Sequence, residues 1–218
     1  MSWDSLRSTY DAVAAKYEAR FLDELQHKPR DRELLEAFAA AVGDPIAEIG
    51  CGPGHIGAFV RGAGHPTERG RVEHRVVGVD LSPAMATLAS RRLDAAMVAD
   101  MRSLPLATDA CGGILAFYSL IHLRREELVP TLAEFRRVLR PGGRVLFSAH
   151  EGEDEFERDV FLEESVPFVA TLFALDELVA ASRRAGLEVL TAERRAPYPF
   201  ESGTVRLYVE AKKRSSPE

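Results

Sequence analysis

The stretch that decides the fold of this chain is a glycine-rich turn between a short apolar run and a helix. From residue 46 to residue 54 the chain reads Ile-Ala-Glu-Ile-Gly-Cys-Gly-Pro-Gly. The apolar residues predict a buried strand, and the pattern after the last glycine predicts a helix. Alternate glycines let the chain turn sharply, let a ligand approach the backbone and let the helix pack close to the strand. The alternative is a strand-to-helix turn that binds nothing.

The spacing of the glycines differs from the G-x-G-x-x-G pattern of dinucleotide-binding turns. Counted from Gly50, the sixth position is His55, and an acid, Glu48, precedes the turn. No basic residue accompanies the turn to pair with a pyrophosphate. An NAD(P)-dependent oxidoreductase is therefore the less favoured interpretation.

Short apolar runs alternate with helical patterns on both sides of the turn. Further strands are predicted over 75–79, 96–99, 113–118, 144–149, 188–194 and 205–212, with helices over 55–61, 83–93, 126–139 and 174–185. The alternation is typical of βαβ units and a parallel sheet, and the last two strands are open to antiparallel pairing. A turn at 140–143, which reads Arg-Pro-Gly-Gly, is expected between one helix and the next strand.

An acid ends the second predicted strand. Residues 76–80 read Val-Val-Gly-Val-Asp, which places the carboxylate of Asp80 at the strand end. A carboxylate there can accept both hydroxyls of a ribose, which suits an adenosine-containing ligand. Taken alone, Asp80 is equally well a surface acid.

With the acid, the glycine turn and Asp80, the chain resembles the class I S-adenosylmethionine-dependent methyltransferases. Further blocks follow in that family's order at residues 81–85, 99–101, 116–123 and 135–143. The resemblance covers residues 46 to 149. It implies an α/β fold: a single Rossmann-like domain with a mostly parallel seven-stranded sheet, helices on both faces, an antiparallel C-terminal strand and an N-terminal helical lid.

The resemblance also assigns cofactor-binding roles by motif position. Glu48 and the glycines Gly50, Gly52 and Gly54 would hold the methionine end of S-adenosyl-L-methionine. Asp80 would bind the ribose hydroxyls. The site is thus expected where the first two strands end.

Five later residues are expected to surround the adenine and the reacting methyl group. Leu81 and Met85 would flank the adenine, with core packing as the alternative for Met85. Asp100 would accept from the adenine amino group, and Met101 would offer its backbone N–H to a ring nitrogen, with core packing again as its alternative. Tyr118 would lie beside the sulfonium.

The N-terminal segment carries one apolar stripe on a helix. Apolar and aromatic residues recur every three or four positions over 5–25, and a second helix is expected over 30–42. Tyr10 and Tyr17 resemble the family's opening, in which such a helix lies over the cofactor as a lid. An amphipathic helix that only packs on the core is the alternative, and both interpretations can hold.

The implied activity is in-line transfer of a methyl group to an O, N or S atom of a small-molecule acceptor, with S-adenosyl-L-homocysteine as product. A base is needed only if the acceptor must lose a proton that it would otherwise keep. His122, after the fourth strand, and His150, at the end of the fifth, are the candidate bases. A structural hydrogen bond is the alternative for each, and a catalytically idle binding protein is the alternative for the chain.

Composition and charge restrict the partners. The chain has 218 residues, a net charge of −6, two cysteines and 46% hydrophobic residues. The acidic balance weighs against nucleic acid, and no run approaches the roughly 18 apolar residues of a membrane span. A small acceptor, a monomer or homodimer and a reducing, cytoplasmic setting are therefore expected. The acidic segment 151–159 could attract a cationic acceptor, although a solvated loop is the simpler interpretation.

One methyltransferase domain is expected over 1–218. Its parts are N-terminal helices and lid over 1–43, the cofactor core over 44–150, an acceptor-side insertion over 151–173, sheet completion over 174–212 and a frayed tail over 213–218. Residues 64–74 are expected to form an inserted surface loop. His65 and His74 in that loop are expected to be solvated, and no metal site is predicted.

Overall fold

Helices and strands alternate along the chain in a computed structural model that describes residues 1–67 and 70–215. The α-helices are α1 Trp3–Phe21, α2 Pro29–Ala41, α3 His55–Ala63, α4 Pro83–Ala89, α5 Arg125–Val138 and α6 Leu175–Arg184. The strands are β1 Ile46–Ile49, β2 His65–Thr67, β3 Gly70–Val72, β4 Val76–Asp80, β5 Ala95–Val98, β6 Cys111–Phe117, β7 Leu139–His150, β8 Glu155–Arg158, β9 Phe168–Thr171, β10 Leu187–Arg195 and β11 Arg206–Lys213. Two 3₁₀ helices cover Glu24–His27 and Leu120–His122.

Seven of these strands form one sheet in the order β10-β11-β7-β6-β1-β4-β5. The pairs β6–β7, β1–β6, β1–β4 and β4–β5 are parallel, whereas β11 is antiparallel to both β7 and β10. The predicted α/β fold with a mostly parallel seven-stranded sheet and an antiparallel C-terminal strand is therefore confirmed.

Both faces of the sheet are covered. β1 and β6 are buried along their whole length, which is typical of central parallel strands. One apolar cluster joins the sheet to α5 and α6 through residues such as Phe135 and Leu178. A second cluster joins it to α2 and α3 through residues such as Phe38 and Val60. The carboxyl ends of β1, β4 and β6 consequently meet at one edge, where ligands bind in open α/β sheets.

The turn expected at 140–143 lies inside β7. The strand begins at Leu139, directly after α5, and opposite β6 its register jumps between Cys111 and Gly113. Cys111 pairs with Leu139 and Gly113 pairs with Arg144, so residues 140–143 form a bulge in the pairing. The glycines and the proline therefore bend the first part of a strand instead of preceding it.

The expected surface loop at 64–74 contains the hairpin β2–β3, with residues 68 and 69 outside the described part of the chain. The expectation that His74 is solvated is wrong. Its ring is 1% exposed, with Nδ1 2.7 Å from Asp44 Oδ1 and Nε2 2.9 Å from the Ala39 carbonyl oxygen. His74 thus ties the segment to the end of α2. The placement of the His65 side chain lies outside the described residues.

Two further segments differ in detail from the sequence-based expectations. The long first helix ends at Phe21, before a 3₁₀ turn, and residues 151–173 contain the antiparallel hairpin β8–β9. Residues 153–159 of the acidic segment are exposed. The last part of the expected frayed tail, 216–218, lies outside the described residues.

Candidate active site

The glycine turn holds its shape through backbone geometry that glycine allows. Gly50 has φ +69° and Gly52 has φ +52°. A Cβ on Gly50 would lie 2.3 Å from Ser119 Cβ, so the turn packs directly against the segment that follows β6. A Cβ on Gly52 would meet only Tyr17 Cε1, at 3.7 Å, on the side that α1 covers. Gly50 is therefore required by the fold, whereas Gly52 leaves space above the backbone.

Glu48 lies beneath the turn. Its carboxylate is buried and accepts the Gly57 N–H at 3.1 Å, which joins the end of β1 to the first turn of α3. Burial raises the pKa of Glu48 well above its usual value. Gly54 packs against Ala89 and Leu93 and does not face the ligand side. Gly57 was not singled out from the sequence, although it brings the helix close to the strand.

Asp80 receives two backbone hydrogen bonds. Its Oδ2 accepts the Gly52 N–H at 2.8 Å and its Oδ1 accepts the Ser82 N–H at 2.9 Å. Burial raises the pKa of Asp80 to about 6, although the hydrogen bonds from Ser82 and Gly52 oppose that shift. Each oxygen retains a lone pair, so the carboxylate can still accept two hydroxyls.

A cleft opens between the sheet edge and α1. It is lined by Trp3, Leu6, Arg7, Tyr10, Tyr17, Ile49, Gly50, Gly52, Val79, Asp80, Leu81, Ser82, Ala99, Met101, Phe117, Tyr118, Ser119 and His122. The cleft therefore brings together nine of the residues expected in the site. The other five, Glu48, Gly54, Met85, Asp100 and His150, do not line it.

The adenine end of the expected site is arranged differently from the prediction. Met85 is fully buried and packs with Ala14 and Leu88, which matches the core alternative. The Asp100 carboxylate is held by Arg102, whose Nη2 lies 2.6 Å from Oδ2. Met85 is placed by packing against Ala14, from a helix distant in the chain, and Asp100 is placed by the neighbouring charge of Arg102. The motif alone encodes neither contact.

Tyr118 lies at the end of β6 with φ +53°, an unusual backbone for a bulky residue. Its hydroxyl lies 3.1 Å from the Tyr208 hydroxyl. Tyr208 donates its proton to Asp31 Oδ1 at 2.8 Å and accepts from Arg195 Nε at 3.0 Å. Because Tyr208 has only one proton, Tyr118 must be the donor to Tyr208. The Tyr118 hydroxyl proton therefore points into this network.

The N-terminal helix reaches the candidate base. The Tyr10 hydroxyl lies 2.7 Å from His122 Nε2, and His122 Nδ1 lies 3.1 Å from the Val169 carbonyl oxygen. A carbonyl only accepts, so Nδ1 carries the proton and Nε2 accepts from Tyr10. Burial lowers the pKa of His122 to about 4. His122 is therefore neutral at pH 7, and its Nε2 lone pair accepts the Tyr10 hydroxyl of the lid.

His150 lies behind Tyr118. Its ring stacks on the Tyr118 ring with 5.0 Å between centroids, and Nδ1 is 2.8 Å from Thr204 Oγ1. Burial, followed by the positive charges of Arg206 and Lys28, lowers the pKa of His150 to about 3. His150 supports Tyr118 in this arrangement and has no direct contact with the cleft.

Aromatic side chains cover the lid from the outside. Phe161 and Phe168, in the segment expected to be the acceptor-side insertion, stack on each other with 4.5 Å between centroids. Phe161 contacts both Tyr10 and Tyr17, and Phe168 contacts His122. The lid is therefore held between the sheet and this insertion.

Asp11 is a lid residue that sequence reasoning missed. Its Oδ1 accepts from Ser82 Oγ at 2.5 Å and from the Ala84 N–H at 3.1 Å. Ser82 also caps α4 through the Met85 N–H. Asp11 thus fixes α1 next to the segment that follows Asp80, and its position one residue after Tyr10 was the only sequence feature that could have indicated it.

Residues 1–67 and 70–215 contain neither a cluster of metal-ligating side chains nor a helix suited to a membrane. No group of three or more His, Cys, Asp or Glu side chains in them is arranged to hold a metal ion. None of the helices in those ranges is long and apolar enough to cross a membrane.

Comparisons with known proteins agree with this geometry. A family model described as a methyltransferase domain matches residues 46–143. A malonyl-[acyl-carrier protein] O-methyltransferase from Serratia marcescens is 33% identical over 149 residues, covering 66% of this chain and 52% of that protein. A demethylmenaquinone methyltransferase from Symbiobacterium thermophilum is 27% identical over 220 residues, covering 94% and 83%.

The fold is shared with solved structures as well. The 1,6-didemethyltoxoflavin-N1-methyltransferase of Burkholderia thailandensis has a TM-score of 0.72 and 23% identity, covering 97% of this chain and 88% of that one. The chain spans about half the length of the Serratia marcescens protein and most of the other two. Together with the glycine turn, the sheet order and the acid that ends β4, these similarities show that residues 46–143 form a methyltransferase domain, in a chain with the fold of the class I S-adenosylmethionine-dependent methyltransferases.

Proposed function

We propose that this chain transfers a methyl group from S-adenosyl-L-methionine, the cofactor of its family, to an O, N or S atom of a small-molecule acceptor. S-adenosyl-L-homocysteine is then the product. The observation that carries the proposal is the cleft beneath α1, where Gly52, Asp80 and Tyr118 meet at the carboxyl ends of three neighbouring strands.

The residues present fit this cofactor. Gly52 leaves room for a ligand against the backbone, since a Cβ there would extend toward Tyr17. Asp80 keeps acceptor capacity for the two ribose hydroxyls after its two backbone hydrogen bonds.

The protein's own contribution is position and exclusion of water. The bound cofactor supplies a methyl group already activated on a sulfonium. The ring of Tyr118 forms one wall of the cleft, where an aromatic face attracts a cation. Tyr10 and Tyr17 on α1 cover the cleft and exclude water from it. The closed cleft also holds the two reactants in line.

His122 is the proposed base for acceptors that must lose a proton. Its neutral Nε2 is the correct acceptor atom, and the Tyr10 hydroxyl occupies it in the closed lid. An acceptor must therefore displace Tyr10 or pass its proton through the Tyr10 hydroxyl. His150 is a weaker candidate because its Nδ1 is paired with Thr204 and its ring does not line the cleft.

A small acceptor is supported by the way in which the lid is held. The aromatic residues Phe161 and Phe168 close the outer side of the lid, and two similar proteins are methyltransferases named for demethylmenaquinone and 1,6-didemethyltoxoflavin. The net charge of −6 argues against a nucleic-acid substrate.

Thermal shift tests the cofactor, and labelled cofactor tests the reaction. S-adenosyl-L-methionine and S-adenosyl-L-homocysteine should raise the melting temperature and NAD(P) should not. Incubation with labelled cofactor and a panel of amines, phenols, thiols and carboxylic acids should then reveal the acceptor atom. Stabilisation by NAD(P) alone would overturn the proposal, and labelling of tRNA in preference to the panel would overturn the small-molecule acceptor. Binding without turnover on any member of a broad panel would indicate a catalytically idle protein.

A further inference from the structure

The sole tryptophan of the chain, Trp3, lines the cofactor cleft without a role assigned by any motif. It is the first residue of α1 and shares the cleft wall with Leu81, Ala99 and Met101. Those three residues follow β4 and β5, whereas Tyr118 follows β6 on the other side of β1. Arg102, which directly follows Met101, also contacts Trp3, so Trp3 lies at the end of the cleft formed by the segment after β5.

Arg102 holds the indole in place. Its guanidinium lies 4.0 Å from the Trp3 ring centroid, and it pairs with Asp100 at 2.6 Å and Glu127 at 2.7 Å. Trp3 Nε1 lies 3.4 Å from Glu127 Oε1. The carboxylates of Asp100 and Glu127 hold Arg102, and Arg102 in turn holds the Trp3 indole. The start of α1 is therefore attached to the core at this end of the cleft.

This pairing bears on the role expected for Asp100. Both oxygens of the Asp100 carboxylate already accept from Arg102, Oδ1 from its backbone N–H and Nε and Oδ2 from Nε and Nη2, which leaves little acceptor capacity for an adenine amino group. What the cleft offers instead is the indole of Trp3 together with the apolar side chains of Leu81 and Met101. Flat aromatic rings pack well against such surfaces.

We propose that Trp3 packs against the adenine of the cofactor and is a specificity-determining residue of this site. The inference rests on the proposed function, because it places the adenosine part of S-adenosyl-L-methionine in this cleft. It adds that the lid binds the adenine directly, in addition to covering the methionine end with Tyr10 and Tyr17.

Tryptophan fluorescence reports on Trp3 alone, since no other tryptophan is present. S-adenosyl-L-homocysteine and 5′-methylthioadenosine should both change the emission, because both carry adenine. L-methionine should leave it unchanged. Calorimetry on the same samples measures binding independently of the indole.

Variants separate a contact with adenine from general closure of the lid. Trp3→Ala should weaken S-adenosyl-L-homocysteine and 5′-methylthioadenosine by the same factor, about tenfold, because only the adenine contact is lost. Trp3→Phe keeps an aromatic ring and should restore most of the affinity. Leu22→Ala, at the far end of the same helix and outside the cleft, is the matched control and should bind like the wild type. Thermal unfolding without ligand confirms that each variant is folded.

The outcomes are distinct. Heat of binding without any change in emission would overturn the inference and leave the proposed function standing. A Trp3→Ala loss confined to S-adenosyl-L-homocysteine would also overturn it, because the indole would then act at the methionine end. No heat with any adenine-containing ligand would overturn both.

Discussion

The Tyr10 hydroxyl donates to Nε2 of His122 across 2.7 Å, although 112 positions separate the two residues in the chain. The bond joins the lid helix α1 to the 3₁₀ turn after β6. With the Val169 carbonyl on Nδ1, it leaves no place on the ring for a second proton. The fold therefore stabilises the neutral form of His122.

His122 should make the stability of the protein depend on pH. Burial lowers its pKa from 6.5 to about 4, so the unfolded chain binds a proton more readily than the folded one between these values. The contribution is fully present above pH 6.5 and is lost as the pH falls toward 4. In urea unfolding, the wild type should lose about 2 kcal/mol more than His122→Gln between pH 7 and pH 4.5. The exposed His27 offers the matched control, His27→Gln, which should behave like the wild type. Equal pH dependence in the wild type and His122→Gln would contradict this account.

Cofactor binding should depend on the ionised form of Asp80. Its pKa of about 6 means that the carboxylate becomes protonated just below neutral pH and loses acceptor capacity. The affinity for S-adenosyl-L-homocysteine should therefore fall as the pH drops below 6. Asp80→Asn should bind roughly tenfold to a hundredfold more weakly at pH 7 and lose this pH dependence. Calorimetry over pH 5 to 8 measures both effects, and the exposed Asp159→Asn is the control. An Asp80→Asn variant with wild-type affinity would refute the ribose role.

The glycines of the turn should differ in what they support. Gly50→Ala should destabilise the fold by about 3 kcal/mol, because of its positive φ and the clash with Ser119. Gly52→Ala should cost only about 1–2 kcal/mol in stability but weaken cofactor binding more than tenfold, because its methyl group would enter the cleft. Gly62→Ala, in α3 with open space around it, should be neutral or stabilising by about 0.5 kcal/mol. Urea unfolding and calorimetry distinguish these cases; a Gly52→Ala variant that binds normally would remove the glycine from the ligand site.

Loss of the hydroxyl should lower the free energy of unfolding more at Tyr208 than at Tyr118. Tyr208→Phe removes the donor to the buried Asp31 and the acceptor of Tyr118 together, and should cost about 2 kcal/mol of unfolding free energy. Tyr118→Phe removes one donor and should cost about 1 kcal/mol, with most methyl transfer retained. Equal losses of stability, or abolished turnover in Tyr118→Phe, would contradict the proposed direction of the hydrogen bonds.

Local patterns in the sequence were enough to predict βαβ units and a parallel sheet, and the family resemblance supplied the rest of the fold. The strand–turn–helix at 46–54 was predictable because short apolar runs, helical periodicity and alternate glycines each restrict the backbone on their own. Asp80 was predictable as a site residue because a parallel strand places its last residue at the ligand edge of the sheet. The bulge at 140–143 was not predictable, because a Pro-Gly-Gly stretch fits a turn as well as a distorted strand start.

Within the candidate site, the sequence determined which residue types stand at the strand ends, since short apolar runs between helical patterns indicate where each strand stops. Only the tertiary structure decided what those side chains do. It turned Asp100 onto Arg102, buried Met85 in the core, paired His122 with Tyr10 and brought Trp3 into the cleft. Hydrogen bonds, pKa shifts and burial arise from neighbours in space. For His122 and Trp3 those neighbours, Tyr10 and Glu127, are distant in the sequence.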